Sequence, residues 1–125
     1  MVVDDAIEQV IALTCADAKP HGNRSLAEHL RNCARIASMM GMTDAIVLAC
    51  AAHSVFGTSS YPVVTNDRAT IAKIIGPDAM RLVELFSKLP RNRKGWWFYE
   101  CESGIEPNEW TALMAIEIIN LAEQA

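Results

Sequence analysis

Three observations in this sequence predict an all-α fold, a compact irregular bundle of five to six helices in one domain spanning 1–125. Apolar residues recur three and four positions apart through most of the chain, the period of a helix with one buried face. Capping residues, glycines and prolines fall where one helix must give way to the next. No stretch of any length alternates apolar and polar residues as a half-buried strand does. A chain of 125 residues, 51% hydrophobic, is long enough for one such core.

The elements follow in order. Asp5 and Glu8 have capping-box spacing ahead of Ile7, Val10, Ile11, Cys15 and Ala18, a first helix ending before Lys19-Pro20. Pro20-His21-Gly22-Asn23 reads as a loop. Ser25 and Glu28 repeat the capping pattern before a stripe of Leu26, Leu30, Cys33, Ala37 and Met40, and Gly41 ends that helix. Thr43 or Asp44 caps a third helix, Ala45 to about Val55, apolar on every side and therefore central. After the loop Gly57–Pro62 come two shorter helices, about 66–75 and 78–89, divided by Gly76-Pro77. The segment from Pro90 to Glu106 lacks periodicity and reads as a long ordered loop or short hairpin, and Pro107 opens the last helix.

Charge and composition exclude several classes. The net charge is −4, and the basic residues are dispersed except for Arg91, Arg93 and Lys94. Nucleic acid is therefore not an expected partner, because its binding surface is a basic face. The one basic cluster suits an anionic small molecule. The N-terminal MVVDDAIEQV is acidic where a secretory signal is basic. The longest apolar run, Ala45 to Ala52, is far shorter than the ~20 residues of a membrane span. A cytoplasmic protein with no membrane partner is the expectation. Cys15, Cys33, Cys50 and Cys101 show no metal-binding spacing, and three of them fall on apolar helical faces as reduced core residues. Met39, Met40 and Met42 read as core filler.

The three histidines fall in one stretch of the chain. His29 shares a face with Leu26, Cys33 and Ile36, so its ring points inward, and His53 closes the buried helix just before Ser54. Read singly, each is a hydrogen-bonded core residue. Read together, they are two imidazoles that adjacent helices bring to one depth, with His21 as a third. Glu117 and Asn120, three apart on the face of Trp110 and Leu113, also point inward. Thr58, after Gly57, is either a plain turn residue or a ligand contact. Arg91 and Arg93, followed by Trp96, read either as a lid that stacks on a ring and pairs with an anion, or as cover for the core or a homodimer interface.

His29 and His53 stand 24 residues apart, the second in AAHSVFGT, and the downstream stretch is TNDRATIAKIIGPDAMRLVELFSKL. In these features the chain resembles the HD-domain superfamily, especially the branch that hydrolyses guanosine tetraphosphate. HGNRSLAEHL and AAHSVFGT are also similar to a smaller uncharacterised HD-like family. The resemblance covers about residues 20–90, and the last helix weakly. It implies a metal site of two histidines, an aspartate after the second, and a later aspartate. Here Ser54 follows His53, and the later position falls near Asn120, so a hydroxyl and an amide stand where the superfamily has carboxylates. Divalent cations such as Mn²⁺ and Mg²⁺ favour carboxylates.

No metal or other cofactor is therefore expected; if a divalent ion is held, His29, His53 and Glu117 would hold it. The expected function is metal-independent acid/base chemistry on a small, anionic metabolite, by a lyase, isomerase or cyclase, or hydrolase. His29, His53, His21 and Glu117 would be catalytic, and Ser54, Asn120, Thr58, Arg91, Arg93 and Trp96 would contact substrate. The alternatives are a metal-dependent phosphohydrolase acting on a nucleotide-like substrate, and a non-catalytic binding module.

Overall fold

The computed structural model describes residues 3–58, 61–89 and 104–125. Helix α1, Val3–Thr14, opens with Asp4 and Asp5 in its first turn, where negative charge meets the exposed N–H groups. It starts ahead of Asp5, so the expected Asp5 and Glu8 box lies inside the helix. It also stops early: Cys15 adopts the left-handed conformation at φ 53° and turns the chain into a short 3₁₀ turn, Ala16–Ala18. That reversal leaves Cys15 exposed, correcting the expectation that it joins the core.

The expected loop at 20–23 is the tip of a small hairpin. Strands β1, Pro20–His21, and β2, Arg24–Ser25, pair antiparallel, with His21 opposite Arg24. Gly22 at φ 62° supplies the positive φ that a two-residue Gly-Asn connection needs. Two-residue strands are too short to show an alternating pattern, which is why the sequence hid them.

Helix α2, Leu26–Met39, begins where the Ser25 hydroxyl accepts the Glu28 N–H at 3.1 Å. Thr43 caps helix α3, Asp44–Ala52, by accepting the Ile46 N–H. Asp67 caps α4, Arg68–Ser87, by accepting the Thr70 N–H. Gly76, at φ 85° and ψ 167°, breaks α4 into the two expected helices, and Pro77 restarts it. Helix α5, Pro107–Gln124, has proline in its first turn and a reciprocal box between Glu106 and Glu109. The described residues thus form five helices and one two-stranded sheet, an all-α fold.

The third helix sits in the middle. It packs on α1, α2, α4 and α5, and Ala49, Cys50, Ala51 and Ala52 are fully buried. Small residues let the neighbouring helices approach, and larger side chains such as Leu30, Val83, Leu113 and Ile116 fill the space around them. Each such side chain contributes about 1.5–3 kcal/mol of burial. Met39 and Met40 are 80% and 55% exposed, not core filler, because α2 overruns the core at its end; Met42 packs partly buried against it. Among the described residues no helix is long and apolar enough to cross a membrane.

Candidate functional site

The end of α3, the start of α2, the hairpin and the end of α5 meet around three imidazoles. His29, in the first turn of α2, is fully buried. His53 is the C-cap of α3 and is buried at the same depth, its ring edge-on to His29 with centroids 5.2 Å apart. Phe86 of α4 walls the far side of His53, again edge-on, at 5.4 Å. The hairpin lays His21 flat over His29 at 4.0 Å, and Tyr61 lies beside His21 while its hydroxyl donates to the Pro20 carbonyl. His21 is half-buried, so among the three it is the imidazole that meets solvent.

Hydrogen-bond partners determine which nitrogens are free. His53 Nδ1 lies 2.7 Å from the Cys50 carbonyl, an acceptor without a hydrogen, so the ring donates there. His29 Nδ1 lies 2.5 Å from Oε1 of Glu123. The Nε2 atoms of both rings converge on one atom, Oδ1 of Asn120, at 2.9 and 3.1 Å. The Asn120 amide nitrogen is turned the other way and donates to Glu117 at 3.0 Å, while Gln124 donates to the same Oδ1. A neutral imidazole carries one N–H, so two rings that donate through Nδ1 aim two lone pairs at an oxygen that is also an acceptor. One cation would complete the donor–acceptor set, whereas one proton on either Nε2 would satisfy only one of the two contacts.

Burial holds His53 at about 4, far below the usual imidazole range, outweighing the bond to Cys50. Burial also lowers His21, with the neighbouring His29 adding to the effect. Burial would raise Glu123, but hydrogen bonds from Arg24, His29 and Asn32 outweigh it and hold the carboxyl at about 2. Burial pushes the Cys33 thiol up, and holds Cys50 at about 12. Neither is a thiolate at neutral pH.

The expected residues fare differently. His21, His29, His53, Asn120 and Glu117 share this cluster, but the carboxylate bonded to an imidazole is Glu123, while Glu117 holds the Asn120 amide. Glu123 lies three residues beyond Asn120, on the same helical face, a spacing the sequence displays. Ser54 is buried, and its hydroxyl has no hydrogen-bond partner among the described residues. Thr58 pairs with Tyr61 across a turn. There the backbone at Gly57, φ 83°, passes so close to Val63 that an added Cβ would lie 2.9 Å from its side chain. Arg91, Arg93 and Trp96, with residues 90–103 of the loop or hairpin expected from Pro90 to Glu106, lie outside the described residues.

A metal ion has candidate ligands here. Ligand atoms of His29, Cys33 and His53 lie within 4.8 Å of one another, and Asn120 adds one oxygen beside the two Nε2 atoms, while the Glu117 carboxylate is held on the far, amide-nitrogen side of Asn120. Imidazole nitrogens with few carboxylates suit Zn²⁺ or another transition ion better than Mg²⁺ or Mn²⁺.

The chain belongs to the family described as Domain of unknown function (DUF6817), whose model matches residues 10–91. That span holds His21, His29, His53 and Ser54, and stops short of Asn120 and Glu123. No curated protein and no solved structure matches the chain.

Proposed function

We propose that this chain is an HD-like small-molecule enzyme that works by histidine acid/base chemistry, as a lyase, isomerase or cyclase, or hydrolase acting on a small anionic metabolite. The observation that carries the reading is the convergence of His29 Nε2 and His53 Nε2 on one point, 2.9 and 3.1 Å from Asn120 Oδ1. Two basic lone pairs held at one place can take a proton from a substrate and return it elsewhere on the same molecule. His53, kept neutral by burial, acts as the base form, and half-buried His21 links the pair to solvent. The unpartnered Ser54 hydroxyl and the Asn120 amide are hydrogen-bonding groups for a substrate. No metal is needed for these steps.

One observation favours a second reading, a metal-dependent phosphohydrolase acting on a nucleotide-like substrate. Histidine ligands of metal ions characteristically donate their other ring nitrogen to a carboxylate or carbonyl, as His29 and His53 do. His29 and His53 would hold a divalent ion with Cys33 beside them, Glu117 being held instead on the Asn120 amide. The ion would supply a Lewis acid for a phosphoryl group and an acidified water. The residues fit a transition ion and serve Mg²⁺ poorly.

Elemental analysis of tag-free protein purified without chelators separates the two. The expected result is well under one equivalent of Mn, Fe, Zn or Ni. Stoichiometric metal that disappears in His53→Ala overturns the metal-free reading in favour of the second. A thermal-shift screen of anionic metabolites then supplies a ligand. With it, His29→Asn and His53→Asn are expected to bind and to lose at least ~10²-fold in turnover. A tight ligand recovered chemically unchanged after long incubation makes the domain a binding module instead.

A further inference from the structure

We infer that Glu123 is a positioning residue that fixes the ring tautomer of His29, and that Arg24 on the hairpin holds Glu123 in place for that purpose. The inference rests on the acid/base reading for its catalytic meaning, but its geometry stands apart from it. Glu123 is nearly at the end of α5, yet its side chain is only 3% exposed. Its Oε1 receives Arg24 Nη2 at 2.6 Å and His29 Nδ1 at 2.5 Å. Its Oε2 receives Arg24 Nη1 and, at 3.1 Å, Asn32 Nδ2. Arg24 also reaches the Glu123 backbone carbonyl at 3.3 Å.

This arrangement uses the planar fork of arginine on both oxygens of one carboxylate, which orients the carboxylate as well as pairing with it. The oxygen shared with His29 then lies in a set position, and an ionised carboxylate can only accept. Its low proton affinity agrees with that role. The neutral His29 ring must therefore present N–H at Nδ1 and a bare Nε2 toward His53 and Asn120. Without the carboxylate the opposite tautomer is the better one, because Nε2–H would donate to Asn120 Oδ1. Glu123 thus selects the reactive form of His29 against the local preference. A purely structural pin between α5, α2 and the hairpin would need no particular tautomer.

The experiment is ¹⁵N NMR of the histidine rings, which distinguishes Nδ1–H from Nε2–H without any substrate. Wild-type His29 is expected as Nδ1–H. Glu123→Gln offers one acceptor oxygen to three donors, and His29 is expected to move largely to Nε2–H while helical circular dichroism stays unchanged. Arg24→Gln keeps the carboxylate but removes the fork that orients it, so the Nδ1–H population of His29 is expected to fall part of the way toward that of Glu123→Gln. An Nδ1–H population unchanged from wild type would overturn the role given to Arg24. Wild-type His29 as Nε2–H, or Nδ1–H retained in Glu123→Gln, overturns the inference, and the wild-type measurement decides even if Glu123→Gln does not fold. With a substrate in hand, Glu123→Gln should lower kcat ~10–100-fold with KM little changed. A tautomer that behaves as expected in a chain that turns nothing over would leave this inference standing and defeat the enzyme reading. The reverse pattern would do the opposite.

Discussion

Acidification should destabilise this protein well before its carboxylates titrate, and His53 is the main reason. Burial holds its imidazole at about 4 in the folded chain, against 6.5 for a free ring. The folded value lies below the unfolded one, so between them the unfolded chain binds the extra proton. The stability linked to His53 is therefore fully present above about pH 6.5 and is lost as the pH falls toward 4. At ~1.4 kcal/mol per unit the whole difference is ~3 kcal/mol, of which ~2 kcal/mol disappears between pH 7 and pH 5. For a chain of this size that is a fall in melting temperature of about 8 °C. Glu123, held at about 2, contributes in a separate window: its stability is present above ~4.5 and lost only below that. Urea denaturation at pH 7, 6 and 5, with chelator present, measures the effect directly. His53→Gln, which keeps an amide donor for the Cys50 carbonyl, should flatten the pH dependence by about the same ~2 kcal/mol. Equal wild-type stability at pH 7 and 5, or an unchanged slope in His53→Gln, would refute the reasoning.

Further outcomes follow from packing. Gly57→Ala meets both a positive φ and the Val63 side chain and should cost more than ~1 kcal/mol by urea titration, whereas Gly22→Ala, which touches nothing, should cost less. Ser54→Ala removes a buried hydroxyl with no partner and should be neutral or stabilising by up to ~1 kcal/mol, while weakening ligand binding if that hydroxyl serves a substrate. Leu30→Ala opens a cavity at a fully buried site and should cost ~2–5 kcal/mol. In native protein a thiol reagent should label Cys15 and spare Cys33 and Cys50, as peptide mapping would show.

The helices were legible because their signals are local. Ser25, Thr43, Gly76 and Pro107 each act within a few residues, and each stands where expected. The misses share a different cause. Cys15 keeps the helical period of its neighbours, yet a single left-handed residue takes it out of the helix. Met40 continues the stripe of α2 past the point where α3 and α5 provide a surface to cover. In the site, the periodicity of α2 and α3 placed His29 and His53 correctly, because the burial of a face is a one-helix property. Which carboxylate reaches His29 depends on how α5 is rotated and advanced against α2, and no pattern within α5 states that. Glu117 and Glu123 were equally good by spacing, and Arg24 decides between them from an element the sequence did not reveal.

The distance along the chain between partners also determines when the site comes into being. His21, His29 and His53 belong to neighbouring elements, and short loops bring them together early. Glu123 and Asn120 meet His29 across 94 and 91 positions, contacts of the kind whose loop entropy must be overcome before they yield any stability. Until α5 docks, the rings are gathered without their carboxylate, and His29 has no reason to choose one nitrogen over the other. The same ordering holds in reverse: a fluctuation that lifts only the last turns of α5 would leave the core of α1 to α4 standing and erase the site. Amide exchange in α5 would then report how often the folded protein is present without being competent.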